Sequence, residues 1–252
     1  MLHTVELIYL LSLKGISLRY KRSILGYFWA IANPFAFATV YWVAFKFVMR
    51  IDVENYAIFL VTALFPWMWL SQAVTIGAGS FTNNVPLVRR VKLKKFILPL
   101  NHVIEEMVHF MFAIPVIFLI IYLTGGGLNP AMQIWEVPLM LLLQILFVFP
   151  VTVIGAVLNV YARDIQHLIG IVFSILFFTT PIVYPISMVP DKYQFLFSLN
   201  PAYWLIESWR IVFFGKILPA TNVIFILSYI VVLNLLAKWM YRHLSPRIAE
   251  LI

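Results

Sequence analysis

A chain of 252 residues that is 63% hydrophobic and only 11% charged cannot hide its apolar surface in a water-soluble fold, where roughly 25% of residues carry charge. Its net charge of +8 is gathered in blocks between apolar stretches, the pattern of membrane topology signals, so nucleic acid is not an expected partner. The absence of cysteine rules out disulfide, thiolate and zinc–thiolate chemistry.

The chain begins with an apolar run from Leu7 to Leu13, but Glu6 precedes it, and neither a basic n-region nor a small-residue cleavage site accompanies it. That is not the pattern of a secretory signal. Val5, Ile8, Tyr9, Ser12, Ile16 and Arg19 instead form a mixed stripe ending in Arg19, Tyr20, Lys21 and Arg22. The stripe predicts an amphipathic helix within residues 1–24 that lies in the cytoplasmic interface, its cations near anionic lipid headgroups.

Six charge-poor stretches follow: Tyr27 to Phe45, Tyr56 to Phe81, Met107 to Leu123, Val137 to Tyr161, Ile165 to Val189 and Val223 to Ala237. Each is long enough, or nearly so, to cross the hydrocarbon, and lipid supplies no hydrogen-bond partners, so each is predicted helical. The expected fold is an all-α polytopic membrane protein, a single transmembrane domain over residues 1–252 with six transmembrane helices. Pro34, Pro66, Pro115, Pro150 and Pro181 then read as kinks accommodated by neighbouring helices.

Lys14, Arg19, Lys21 and Arg22 precede the first stretch, and Arg89, Arg90, Lys92, Lys94 and Lys95 separate the second from the third. Arg163 separates the fourth from the fifth, and Lys238, Arg242 and Arg247 follow the last. Thirteen of the 18 Lys and Arg residues therefore lie on one side, which the positive-inside rule makes cytoplasmic, together with both termini. Near the start of the third stretch, His102, Glu105, Glu106 and His109 have the spacing of a helical metal site. They do not form H-E-x-x-H, however, and the alternative is that Glu105 and Glu106 favour a helix N-terminus and pair with Lys94 or Lys95.

The segment before the last stretch is neither polar enough for an ordinary loop nor charge-free enough for a span. Asn200-Pro201 is a turn or helix-start signal, and Tyr203 to Phe214 can form a helix carrying Glu207 and Arg210 three residues apart. Short re-entrant or interfacial helices are expected over residues 188–216, with Glu207 and Arg210 as a buried pair.

Several chemistries lack their residues. No G-x-x-x-x-G-K-[ST] occurs, and Gly125-Gly126-Gly127 lacks the lysine and falls in an outer loop. The middles of the six stretches contain no Asp, Glu or Arg, which disfavours ion-coupled transport, and no nucleophile–base arrangement is visible, so no catalytic or metal residues are assigned.

From Arg19 the chain reads Arg19-Tyr20-Lys21-Arg22-Ser23-Ile24-Leu25-Gly26-Tyr27-Phe28-Trp29 and passes through Asn33-Pro34 into the first stretch. This resembles the R-Y-x-x-S-x-L-G-x-x-W run of the ABC-2 type permeases of polysaccharide exporters, a family that serves O-antigen, teichoic acid and capsule export. Three later stretches extend the resemblance in order: Asn84 to Leu100, Tyr161-Ala162-Arg163-Asp164 on to Thr180-Pro181-Ile182-Val183-Tyr184, and Asn200-Pro201 through Arg210.

The resemblance implies a half-transporter in the bacterial inner membrane that pairs with a second copy of itself and recruits two ATP-binding cassette subunits. It also implies export of a lipid-linked glycan between the protomers, with ATP and magnesium bound by the partner ATPase and no cofactor in this chain. It further implies that the connection over residues 82–100, with Arg89, Arg90, Lys92, Lys94 and Lys95, contacts the ATPase, and that the short helices before the last stretch shape an outer gate. One departure is that Val91-Lys92-Leu93-Lys94-Lys95 lacks the proline that many relatives carry there.

Each of these roles has a rival. Alternating cationic and apolar residues suit a short helix seated in a partner's groove, but they also suit a topology anchor on lipid headgroups. Phe28, Ala32, Phe35, Thr39, Trp42 and Lys46 share one helical face, as do Phe173, Phe177, Thr180 and Tyr184 on the fifth stretch. Aromatic rings stack on sugar C–H faces, so Phe28, Phe35, Thr39, Trp42, Phe177, Thr180 and Tyr184 are candidates for a glycan path; ordinary helix packing is the alternative. Arg163-Asp164 reads either as a pair fixing the short inner turn or as part of a gate. Other functions consistent with the residues are an ABC-2 permease for a small hydrophobic drug or lipid, a membrane scaffold and, last, an intramembrane enzyme.

Overall fold

The computed structural model describes residues 2–20, 26–90, 94–123 and 130–252, and every regular element among them is helical. Lys21, Arg22, Lys92 and Gly125-Gly126-Gly127 lie outside the described residues. Helix α1 (Leu2–Tyr20) precedes α2 (Trp29–Trp42), which runs into a π-helical turn, Val43–Val48. Helix α3 (Tyr56–Gly77) is followed by a 3₁₀ turn (Thr82–Asn84) and α4 (Val85–Arg90). Then come α5 (Ile97–Leu123), α6 (Pro130–Tyr161), α7 (Ile165–Thr179), α8 (Asp191–Ser198), α9 (Pro201–Phe213), α10 (Ala220–Leu244) and the short α11 (Ile248–Leu251).

Among the described residues five helices are long and apolar enough to cross a membrane, and α7 is a shorter apolar helix of 15 residues. At 1.5 Å per residue α7 reaches only about 22 Å, short of a hydrocarbon core of roughly 30 Å. The expected helical stretch to Val189 is thus corrected. Thr180 is extended, at φ −107° and ψ 127°, because the residue before a proline avoids the α region. Pro181 therefore ends a helix, whereas Pro34, Pro66, Pro115 and Pro150 lie inside helices as expected.

Helix α3 is the centre of the bundle, packed against α2, α5, α6, α7 and α9. Its apolar residues run all around the helix, which suits complete burial. Buried polar groups fasten it. The Trp69 indole donates to the Val103 carbonyl at 3.1 Å, and Gln144, fully buried on α6, donates to the Pro66 carbonyl at 2.9 Å. The same Gln144 side chain accepts from the indole of Trp209, so one amide ties α3, α6 and α9 together.

Gln144→Leu is expected to destabilise the protein by about 1–3 kcal/mol, because the Trp209 indole N–H would be buried without a partner. Unfolding titrations check this. Trp209→Phe should then cost less in the Gln144→Leu background than in the native chain, and equal costs would show that the bond contributes nothing.

Helix α1 docks on α5. The Ser12 hydroxyl donates to Asn101 Oδ1 at 2.7 Å, and the Asn101 amide donates to Glu105 Oε1 at 2.7 Å. Gly15 lies directly over this carboxylate: a Cβ there would stand 1.7 Å from Glu105 Oε1. Here a glycine is required by close approach, in keeping with small residues at packed membrane-helix contacts.

The expected pairing of Glu105 with Lys94 or Lys95 is corrected, since Glu105 instead contacts Asn101 and His102, the latter at 3.1 Å. Nor do Glu105 and Glu106 sit at a helix N-terminus. Helix α5 begins at Ile97, so both lie beyond its second turn, where the N-terminal dipole has little effect. Glu106 faces His109 at 3.3 Å.

Candidate functional site

Between α2, α3 and α7 lies an open cavity of about 380 Å³. Helix α3 contributes Trp67, Ser71, Gln72 and Thr75, and α7 contributes Gly170, Phe173, Ser174, Phe177 and Phe178. The α7 residues follow i, i+3, i+4, i+7, i+8 spacing and so share one face. Tyr41 closes the α2 side, its ring 5.3 Å from that of Phe177. Trp67 lies 5.7 Å from Phe173 and 6.0 Å from Phe177, while a Cβ on Gly170 would meet no atom within 4 Å, which leaves the cavity open there.

The cavity lining carries no charge. It offers ring faces beside hydroxyl and amide groups, a combination that holds neutral polyhydroxylated chains by stacking and exchangeable hydrogen bonds. Of the expected path residues, Phe177 lies in this lining, while Thr180 and Tyr184 fall beyond the end of α7 and share no helical face with it. Phe28, at the end of the 3₁₀ turn before α2, and Phe35 on α2 are 60% and 52% exposed, and the Thr39 hydroxyl bonds back to the Phe35 carbonyl at 2.8 Å. Trp42 packs edge-on against Phe47 at 5.1 Å. Tyr41, Trp67 and Gln72 were not singled out from the sequence, although Trp67, Ser71 and Thr75 follow i, i+4, i+8 spacing.

After α7 the irregular turn from Thr180 to Val183 is buried, and polar side chains hold its backbone. Arg210 is the centre of this clamp. It pairs with Glu207 at 2.5 Å, donates to the Pro181 carbonyl at 2.8 Å, and places its guanidinium 3.9 Å from the centre of the Phe59 ring. The Tyr56 hydroxyl donates to the Val183 carbonyl at 2.7 Å, and the Asn200 amide donates to the Thr180 hydroxyl at 2.9 Å. Irregular backbone at membrane depth is tolerated where protein supplies its partners, as here.

Local sequence builds the helix that carries Arg210. The Asn200 side chain accepts from the Ala202 N–H at 3.0 Å to cap α9, with Pro201 at the first helical position. At the other end Lys216 N–H bonds to the Ile211 carbonyl and Gly215 N–H to the Val212 carbonyl, a Schellman motif whose left-handed residue, Gly215, has φ 65°.

At the opposite end of the bundle, Arg89 and Lys94 are exposed and Lys95 is partly buried. Arg89 donates to the Ile252 carbonyl, and Lys95 donates to the Ser245 carbonyl at 3.2 Å, so α4 and the turn before α5 are fastened to residues 245–252. Arg90 closes α4. Arg19 and Tyr20 fall in the last turn of α1.

An uncharged aromatic cavity in a bundle of apolar helices, with a clamped segment at one end and a basic segment at the other, defines the membrane-embedded part of a transporter. A family model described as "ABC-2 type transporter" matches residues 6–214, and the chain belongs to that family of membrane transporter subunits, which are not themselves enzymes.

The chain is 33% identical over 248 residues to the O-antigen export system permease protein RfbA of Klebsiella pneumoniae, covering 98% of this chain and 95% of that protein. It is 29% identical to the protein of the same name from Myxococcus xanthus over 226 residues, 89% of this chain and 86% of that one. Similarity also extends to the polysialic acid transport protein KpsM of Escherichia coli, 22% identical over 209 residues, or 82% and 80% of the two chains.

Proposed function

We infer that this chain is the permease subunit of an ATP-driven exporter that moves a lipid-linked polysaccharide, of the O-antigen kind, across the bacterial inner membrane. The observation that carries this reading is the end-to-end similarity to O-antigen export permeases. In this reading the chain crosses the membrane six times, α7 and the buried turn after it together making the fifth crossing, with both termini in the cytoplasm. The exposed aromatic face of α2, with Phe28 and Phe35, faces a second copy across the glycan path.

Two ATP-binding cassette subunits bind ATP and magnesium and dock on the segment around α4 through Arg89, Arg90, Lys92, Lys94 and Lys95. ATP-driven closure of those subunits pushes this segment and switches the helices behind it between two packed arrangements. The lining of Tyr41, Gln72, Ser174 and Phe177 binds sugar weakly at many positions, as continuous movement of a long chain requires. Interface contacts of Arg19, Tyr20, Lys21 and Arg22 with anionic lipid hold α1 at the cytoplasmic surface.

The test is ATP-dependent movement of a lipid-linked glycan in vesicles containing this permease and its ATPase. Tyr41→Leu and Gln72→Leu are each expected to slow export about two- to tenfold, since one stacking or polar contact contributes about 0.5–1.5 kcal/mol. A transporter for a small hydrophobic drug or lipid would lose nothing from either change. A scaffold would show no ATP-dependent movement at all.

A further inference from the structure

At the inner ends of α3, α6 and α7 lies a junction that none of the roles above uses. Asn159, two residues before the end of α6, is 2% exposed, and its side chain bonds in two directions. Its amide donates to the Thr82 hydroxyl at 3.3 Å, and its oxygen accepts from the backbone N–H of Gln166 at 3.2 Å. Thr82 opens the 3₁₀ turn that leads into α4, while Gln166 lies in the first turn of α7. One short side chain thus joins the turn that leads into α4 to the helix whose later residues Phe173 and Phe177 line the cavity.

We propose that Asn159 is a positioning residue that transmits displacement of the α4 segment to α7, and so to the cavity wall. The inference rests on the coupling role proposed above for that segment. An amide suits the task because it supplies both a donor and an acceptor within one rigid plane, which no apolar residue of similar size can do. A buried amide at this position would be costly without both partners, which argues against accidental placement.

The packing around it is close enough to transmit force. A Cβ on Gly77 would stand 2.2 Å from Thr152 on α6, and one on Gly79 would stand 3.2 Å from Gln166 Oε1. A Cβ on Gly155 would come within 3.0 Å of Ile169 on α7. The end of α3 cannot shift without displacing α6 or α7, because packed helices behave as bistable contacts rather than soft ones. Ser80 is also fully buried at this junction, and its hydroxyl makes no hydrogen bond here.

The test compares Asn159→Leu with the native permease, each reconstituted with its ATPase, and reads the glycan exported per ATP hydrolysed. The variant is expected to assemble with the ATPase and hydrolyse ATP, yet export about fivefold less glycan per ATP or worse, at the low end of ordinary coupling between sites. An unchanged ratio overturns the proposal.

If Asn159→Leu does not assemble, Thr82→Val decides, because it removes only the hydroxyl that Asn159 contacts. A lowered ratio in Thr82→Val supports the junction, and a native ratio overturns it. Neutralising the basic segment separates this inference from its premise. If assembly survives neutralisation, the coupling role is wrong; if assembly is lost while Asn159→Leu keeps a native ratio, only the junction falls.

Discussion

Arg210→Met is expected to lower the stability of the folded permease by about 1–3 kcal/mol, because the buried Pro181 carbonyl loses its donor and Glu207 its charge partner. Arg210 is 6% exposed and serves three groups at once: Glu207, the carbonyls of the stretch after α7, and the Phe59 ring. Methionine fills similar volume but donates nothing, so Glu207 and the Pro181 carbonyl both lose their partner.

Glu207→Gln should cost less, because its side chain is 29% exposed and water can take over part of its hydrogen bonding. Arg210→Lys should not restore stability, since an ammonium cannot span the carboxylate and the carbonyl with a planar fork. Denaturant unfolding of the purified protein measures all three, and the vesicles carrying Arg210→Met should leak small ions at rest if this segment forms the outer gate. Native stability in Arg210→Met would show that water, not protein, holds the stretch from Thr180 to Val183.

Replacing Arg89, Arg90, Lys92, Lys94 and Lys95 by glutamine should reduce binding of the ATPase at least about tenfold, with a matching loss of ATP turnover, because charge pairs at an interface govern both encounter and residence. The effect should not be uniform. Lys95 and Arg89 are engaged with Ser245 and Ile252, so neutralising them loosens the platform as well as the contact. Lys94 is exposed, and Lys94→Gln alone should weaken assembly while leaving the stability of the permease unchanged. Co-purification with the ATPase and its hydrolysis rate in lipid provide the readout. Equal binding by the native and neutralised forms would reduce the basic block to a topology anchor.

Much of the framework was legible because it depends on local chemistry. Asn200-Pro201 marked the start of α9 through a side-chain cap, and the spacing of Glu207 and Arg210 placed them together on that helix. What remained hidden depends on which helices meet. The α2 stretch from Ile31 to Val48 and helix α3 are both apolar, yet 6% of the first and 78% of the second is buried. Lipid and protein interior are both apolar, so hydropathy does not distinguish a face turned to lipid from one turned to a neighbour. That is why Tyr41 and Trp67, rather than Phe28 and Phe35, line the cavity, and why Glu105 faces α1 instead of a lysine.

The sequence by itself determined that the chain is helical and membrane-embedded and where short segments begin between spans; these follow from desolvation of the backbone and from local capping. Only the tertiary structure decided how α7 ends in a clamped irregular turn, where the aromatic cavity lies, and that Asn159 joins the turn before α4 to α7. Those features rest on hydrogen bonds and ring contacts between residues far apart in the chain, whose partners are chosen by packing and leave no periodic mark along it.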